Sequence, residues 1–430
     1  MQSLLWRGLY FITVLLLNIF LSRYLQAANT GFVYYLSNIF SFTLIIFSVS
    51  LESGITYFAS GKIIDPKKLI WFTVAWSFAV AILALAAVYI YLFFTPGIPA
   101  ISDSQFYFFS TCYIAGLFLT NCGTALFYAK NNFILPNFLL IFWNIVLIII
   151  IPKFGVAKDL SQAGNILQLY FLIFLLQGLS VCIAWLVKEK NITAVSLPTA
   201  IEIKKIFKYS AVVVTGNIIF FLVYRIDYLF VNASPVCTAA DLGNYIQVSK
   251  LGQMLLIIPQ IIASVIFPRS ASGINRKELN SSLMTIARLF SQLYLLIIII
   301  TVVGGTWLFT GMFGETFNKM QWPFIILMPG IFSLSVLAML SAYFSGKGNL
   351  RVNLTGAALA LLVVIIGDYF FVPLYGILAA AAISTLGYTV NLGYSLYIFY
   401  KDYDINFFDF FRWRKSDYRW LRSLTIKKNN

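Results

Sequence analysis

Six ionisable residues fall inside apolar stretches of this sequence: Arg7, Glu52, Arg225, Asp227, Lys250 and Asp368. A charged side chain at membrane depth costs about 2.5 kcal/mol or more on insertion scales, so such residues face a water-filled cavity or one another. Their types divide the chemistry in two. An arginine fork matches phosphate oxygens and a lysine adds a point charge, so Arg225, Lys250 and Arg7 suit a phosphate-bearing ligand. Glu52, Asp227 and Asp368 suit either ion coupling or structural pairing, and Asp368, near the end of its apolar segment, could simply reach the interface. Arg225 and Asp227 are two apart, which places them on different faces of one helix and prevents direct neutralisation. Asp227 with Lys250 is the obvious structural pair.

Spacing gives each charge a depth. At 1.5 Å per residue, Arg225 lies about 10 Å inside the segment end marked by Asn232, and Lys250 about 14 Å beyond Asp241. Both therefore occupy the same half of the membrane on sequence-neighbouring helices. Glu52 is about 15 Å from Lys62 on the other side. Arg7 is close to that other surface and can snorkel to it.

Other chemistries are excluded by residue type. The chain has no histidine, which removes histidine proton relays, His-based zinc sites and Ser-His nucleophiles. Cys112, Cys122, Cys182 and Cys237 lack metal-type spacing, and three of them lie in apolar segments as packing residues. No phosphate-cradling P-loop is present, and Gly304-Gly305 reads as a packing or kink site. No cofactor is implied.

The elements that position these charges are membrane helices. Of the 430 residues 60% are hydrophobic and only 10% charged, against about 25% charged in a soluble domain. The first apolar stretch is too long for a cleavable signal peptide. With roughly 20 apolar residues per crossing, twelve helices are expected, at about 3–25, 31–59, 69–94, 104–129, 132–151, 165–187, 207–232, 241–267, 283–312, 322–345, 350–371 and 375–400.

The array is duplicated. Ala27-Ala28-Asn29-Thr30-Gly31 returns as Ala239-Ala240-Asp241-Leu242-Gly243, an offset of 212, and Ala59-Ser60-Gly61 returns as Ala271-Ser272-Gly273 at the same offset. Phe127-x-x-Lys130-x-Asn132 matches Phe344-x-x-Lys347-x-Asn349 at 217, and Pro152-x-x-Gly155 matches Pro373-x-x-Gly376 at 221. Six helices per repeat is an even number, so both halves enter the membrane in one direction and are related by an axis along its normal. The expectation is an all-α integral membrane protein with an N-lobe at 1–190, a cytoplasmic interfacial linker at 191–208, a C-lobe at 209–400 and a basic aromatic tail at 401–430. At the offset of 212, Lys250 corresponds to Asn38 and Arg225 to Thr13. The charge pair therefore belongs to the second repeat alone.

Orientation follows from the basic residues. A cytoplasmic N-terminus leaves only Arg23, Lys153, Lys158 and Lys319 of the 30 Lys and Arg on the outside, with Arg225 and Lys250 within helices. Both termini are then cytoplasmic, and the net charge of +15 reads as inside-facing anchors, with no nucleic-acid partner. The stretches 199–208 and 407–422 mix lysine or arginine with apolar side chains and should lie along an anionic leaflet; the tail could also recruit a partner enzyme. The glycosylation-like triplets at Asn191 and Asn353 both map to the cytoplasmic side.

Two blocks resemble the polysaccharide-transporter family of the multidrug/oligosaccharidyl-lipid/polysaccharide exporter superfamily. They are Arg225-Ile226-Asp227-Tyr228 with Leu242-Gly243-Asn244-Tyr245 and Ile266-Phe267-Pro268-Arg269; and Pro329-Gly330 followed by Gly346-Lys347-Gly348-Asn349 and Val372-Pro373-Leu374-Tyr375-Gly376-Ile377. The resemblance spans nearly the whole chain. It implies two six-helix lobes that rock around a cavity, and a non-enzymatic flippase acting as a monomer in the bacterial inner membrane. The implied cargo is an undecaprenyl-diphosphate-linked oligosaccharide for surface polysaccharide, with polymerase or glycosyltransferase partners. Arg225 and Lys250 match in kind the cations that related flippases place against the diphosphate. The lipid-II branch carries arginines in its first two helices, whereas here Arg7 and Arg23 sit at helix ends and Glu52 occupies the second helix. The alternatives are a cation-coupled multidrug antiporter of the same superfamily and, more remotely, a membrane polysaccharide polymerase. The longest external loop, 152–164, carries Asp159 as its only acid, which leaves little room for a polymerase active site.

Overall fold

The computed structural model describes residues 2–94, 101–188, 196–272, 276–403 and 413. The helices are α1 Gln2–Ser48, α2 Leu51–Ser60, α3 Pro66–Phe94, α4 Asp103–Ala129, α5 Ile134–Ile150, α6 Leu160–Lys188, α7 Ala200–Arg225, α8 Asp227–Ala233, α9 Ala239–Leu255, α10 Ile257–Ser272, α11 Arg276–Phe313, α12 Gln321–Gly346 and α13 Leu350–Tyr403. Single 3-10 turns follow α5 and α11, and no strand occurs among the described residues.

Two of these helices are hairpins. In a straight helix Asn18 and Tyr34 would stand about 24 Å apart, yet the Tyr34 hydroxyl donates to Asn18 Oδ1. The chain reverses midway between them, at Gln26, whose backbone (φ 61, ψ 174) is not helical. Likewise α13 turns at Gly376 (φ 60, ψ −139), a left-handed conformation that glycine adopts without a Cβ penalty. Its arms meet closely enough that a Cβ on Gly367 would lie 2.6 Å from Ile383. Each hairpin supplies two crossings, α2 completes the second crossing, and α7 with α8 and α9 with α10 form one crossing each. Twelve membrane crossings result. By length and hydropathy alone ten helices qualify, two of them 44 and 52 residues long because each is such a hairpin.

The chain separates into two compact units, Met1–Ile218 with Met312–Gly314, and Ile219–Gly311 with Glu315–Asn430. The first unit has an aromatic core in which Phe40 and Phe109 pack on Phe171. Small residues let α4 and α6 touch backbone to backbone, as membrane helices do where lipid gives no hydrophobic drive to associate. A Cβ on Gly178 would lie 2.4 Å from the Gly116 carbonyl oxygen. Gly178→Val should therefore lower the melting temperature in detergent, the overpacking costing about 1–3 kcal/mol or more. Gly164→Val, on the same helix with nothing within 4 Å, is the control; equal melting of the two variants would refute the packing argument.

The stretch expected to form a linker is helical from Ala200. Thr199 and Glu202 cap it reciprocally: the Glu202 N–H donates to Thr199 Oγ1 at 3.3 Å, and the Thr199 N–H to Glu202 Oε2 at 2.6 Å. Such a capping box satisfies two otherwise orphaned donors, and Lys68 at 3.2 Å pairs with the same carboxylate. In the second unit α12 packs on the second arm of α13, where Thr385 Oγ1 donates to the Ile326 carbonyl at 2.7 Å. Residues 191–195, including the triplet at Asn191, and the tail beyond Tyr403 lie outside the described residues except for Trp413, whose indole N–H donates to Ser291 Oγ at 2.9 Å. Asn353 is buried and donates to the Ser341 carbonyl and Ser345 Oγ, both at 3.0 Å.

Candidate functional site

Four of the six intramembrane charges fall in the second unit: Arg225, Asp227, Lys250 and Asp368. The first two do not share one continuous helix. Arg225 closes α7, Ile226 forms a turn, and Asp227 opens α8. The crossing then reverses at residues 234–238, and α9 begins with a capping box in which Thr238 Oγ1 accepts from the Asp241 N–H. This reversal sits midway between Asp227 and Tyr245, and almost midway between Arg225 and Lys250. Hairpin symmetry therefore brings each pair to one depth.

Arg225 is half-buried, hydrogen-bonded to a neutral side chain and within electrostatic reach of Asp227. Its Nη2 donates to Gln253 Oε1 at 2.8 Å, and its guanidinium carbon lies 5.7 Å from the Tyr228 ring centroid. Gln253 donates in turn to Ser249 Oγ at 3.2 Å. Among the described residues no carboxylate forms a salt bridge with Arg225. Lys250, on α9, is within electrostatic reach of Arg225. Arg225 is thus held by an amide and an aromatic ring, with Lys250 and Asp227 both within its electrostatic reach.

Asp227 has a different set of partners. It is 1% exposed, and its carboxylate accepts from the Tyr245 hydroxyl, from Ser384 Oγ at 3.1 Å and from the Tyr228 N–H at 2.9 Å. Three elements, α8, α9 and the second arm of α13, converge on it. Asp368 lies on the first arm of α13 and is 0% exposed. Neither of its carboxylate oxygens has a hydrogen-bond partner among the described residues, and it is within electrostatic reach of Asp227 and Tyr245. The expectation that Asp368 reaches the interface is therefore corrected. The reversal at Gly376 folds the second arm back over the first and seals the carboxyl between helices.

Tyr245 and Ser384 were not singled out as site residues from the sequence. Tyr245 belongs to the Leu242-Gly243-Asn244-Tyr245 block, and the structure gives that block two duties. Asn244 accepts from the Lys319 N–H at 3.1 Å and donates to the Thr316 carbonyl at 3.0 Å, which fixes the turn after α11, while Lys319 Nζ pairs with Asp241 at 2.7 Å. Tyr245 reaches inward to Asp227. In the first unit a tyrosine–asparagine bond, Tyr34 to Asn18, also bridges the two arms of a hairpin.

Arg7 and Glu52 fall in the first unit. The Arg7 guanidinium carbon lies 4.5 Å from the Tyr128 ring centroid and 5.6 Å from that of Phe133. Glu52 opens α2 immediately after a break at Val49 and Ser50, whose φ values are 50 and 51. It lines a cavity of about 270 Å³ that Tyr128 also lines.

Residues 145–321 match the model of a family described as "Polysaccharide biosynthesis protein". A search among curated proteins finds no significant match. Among solved structures, the chain is similar to a lipid II flippase MurJ in an inward closed conformation, with TM-score 0.69 and 15% identity over 95% of this chain and 89% of that one. It is similar to an inward-facing multidrug resistance MATE family transporter of the MOP superfamily, with TM-score 0.68 and 13% identity over 90% of this chain and 93% of that one. A Vibrio cholerae MATE transporter, VcmN in the bent form, matches with TM-score 0.60 and 15% identity over 96% of this chain and 97% of that one. The fold is shared with these flippase and transporter structures, in a multi-pass membrane protein whose residues 145–321 match the polysaccharide-biosynthesis family model.

Proposed function

We propose that the protein flips an undecaprenyl-diphosphate-linked oligosaccharide from the cytoplasmic to the outer leaflet of the bacterial inner membrane by alternating access. The observation that carries this reading is the Arg225–Lys250 pair: two cations in the same half of the membrane, with the Arg225 guanidinium hydrogen-bonded to a neutral amide and in no salt bridge among the described residues. A diphosphate brings the negative charge that this pair calls for, and an arginine fork can engage it bidentately. The family match over residues 145–321 covers α7, α8 and α9 and so includes both residues.

Asp227 and Asp368 take the coupling role in this reading. A buried carboxylate without hydrogen-bond partners is costly, and uptake of a proton or a monovalent cation there would offset that cost. Binding of the ion would then favour one conformational state over the other. The second reading is a multidrug antiporter, supported by the similarity to MATE transporters. The two differ in the charge of the cargo.

Proteoliposomes test this directly. Headgroup accessibility of a polyprenyl-diphosphate-linked sugar should equilibrate between leaflets at a rate set by the protein, and ethidium should not be accumulated. Ethidium transport with no lipid flipping would replace the first reading with the second.

A further inference from the structure

The cavity beside Glu52 lies in the first unit and has no part in the cation pair. We propose that it binds a single sugar ring through its hydroxyl groups, as a recognition subsite for the carbohydrate part of the cargo. The inference rests on the proposed sugar-bearing cargo and adds a second point of contact to it.

The site is built around a costly piece of backbone. Val49 and Ser50 are both left-handed, with φ 50 and 51, although a β-branched residue there is a genuine outlier. Such residues cost about 1–3 kcal/mol each and persist only where surrounding structure imposes them. Here Asn217 Nδ2 donates to Ser50 Oγ at 2.9 Å, and the Ser50 N–H to Ser48 Oγ at 3.2 Å. On the next turn Gly54 lets α7 approach so closely that a Cβ would lie 2.6 Å from Ser210 Oγ. At membrane depth, non-helical backbone is tolerated only where it is buried in protein or lines a cavity. The break at 49–50 ends α1 and restarts the crossing as α2, and its first turn carries Glu52 and Ser53 into the cavity wall.

The lining is the chemistry of a polyol site. Glu52, Ser53 and Thr56 from α2 face Asn121, Thr124 and Tyr128 from α4 across about 270 Å³. The Thr56 hydroxyl donates to the Glu52 carbonyl at 2.7 Å and the Thr124 hydroxyl to the Asn121 carbonyl at 3.0 Å. Both hydroxyl oxygens therefore present lone pairs to the cavity. Among the described residues no other side chain bonds the Glu52 carboxylate, the Ser53 hydroxyl or the Asn121 amide. A carboxylate accepts from two neighbouring hydroxyls and an amide both donates and accepts; Tyr128, whose ring also carries the Arg7 guanidinium, completes the wall.

Other ligand classes fit less well. An anion would meet the Glu52 charge. A bare metal ion would find one carboxylate in a space far larger than a coordination shell, where about six oxygens at 2.0–2.6 Å are needed. A lipophilic drug would leave the Glu52, Ser53, Thr56, Asn121 and Thr124 polar groups of the lining without partners. A single pyranose, neutral or bearing an amine, matches both the lining and the size.

The test is saturation-transfer NMR on the full chain in nanodiscs with free glucose, galactose, N-acetylglucosamine, glucosamine and rhamnose. Farnesyl diphosphate is the parallel probe for the cation pair. Wild type should give saturable transfer with at least one sugar. Glu52→Gln and Thr124→Val should each reduce it tenfold or more while farnesyl diphosphate binding stays unchanged, which also reports that the variants are folded. Arg225→Ala should do the reverse. Absence of saturable transfer from every sugar, or transfer unchanged in both cavity variants, overturns the subsite. Sugar transfer that depends on Glu52 alongside farnesyl diphosphate binding indifferent to Arg225 leaves the subsite standing and sinks the cation-pair reading instead.

Discussion

Arg225→Ala should reach the membrane at the wild-type level yet flip a polyprenyl-diphosphate-linked sugar roughly ten to a hundred times more slowly, and Arg225→Ala/Lys250→Ala should abolish flipping. Hydrogen bonds to charged groups are worth about 1.5–3 kcal/mol each, and every 1.4 kcal/mol is tenfold. Loss of one cation at the diphosphate therefore costs one to two orders of magnitude. Arg225→Lys should be intermediate, because an ammonium keeps the charge and loses the planar fork. The fold should survive, since Arg225 makes one hydrogen bond to the Gln253 side chain, lies near the Tyr228 ring and is in no salt bridge with Asp227. Flipping rates in proteoliposomes and surface polysaccharide in cells measure the effect. Full activity of the double variant would end the site assignment.

The second large effect concerns the driving force. Asp368→Asn and Asp227→Asn should each remove the acceleration of flipping by an imposed proton or sodium gradient, while exchange without a gradient continues. Asparagine retains the volume and loses the charge that an ion would neutralise. Tyr245→Phe, which deletes one donor to Asp227, should weaken gradient dependence without eliminating it. The measurement compares initial rates with and without each gradient. Undiminished acceleration in both asparagine variants would assign Asp227 and Asp368 to structure alone.

Much of this was legible in the sequence because lipid imposes a simple pattern. Each crossing must be apolar for about 20 residues, so the twelve crossings and their order could be read directly. The common depth of Arg225 and Lys250 followed from counting residues to the intervening turn. What was hidden depends on where chains double back or break. Asp368 looks interfacial when residues are counted to the end of its crossing, and it becomes buried once the second arm of α13 covers it. The break at Val49 and Ser50 carries neither glycine nor proline, so no breaker residue marks it. Its Ser50 hydroxyl is bonded by Asn217, far away in the chain. Ser384 is one small polar residue among many, and only its distance to Asp227 distinguishes it.

The reversals at Gln26 and Gly376 also bear on how the protein is made. Neither connects its two arms through a hydrophilic loop, so nothing soluble has to be dragged across the bilayer when the second arm follows the first. At synthesis rates of about 5–20 residues per second, an arm of some 25 residues emerges within seconds of its partner, while the first still sits at the insertion machinery. The first and last pairs of crossings should therefore enter the membrane as ready-paired hairpins, each choosing its direction once for both arms.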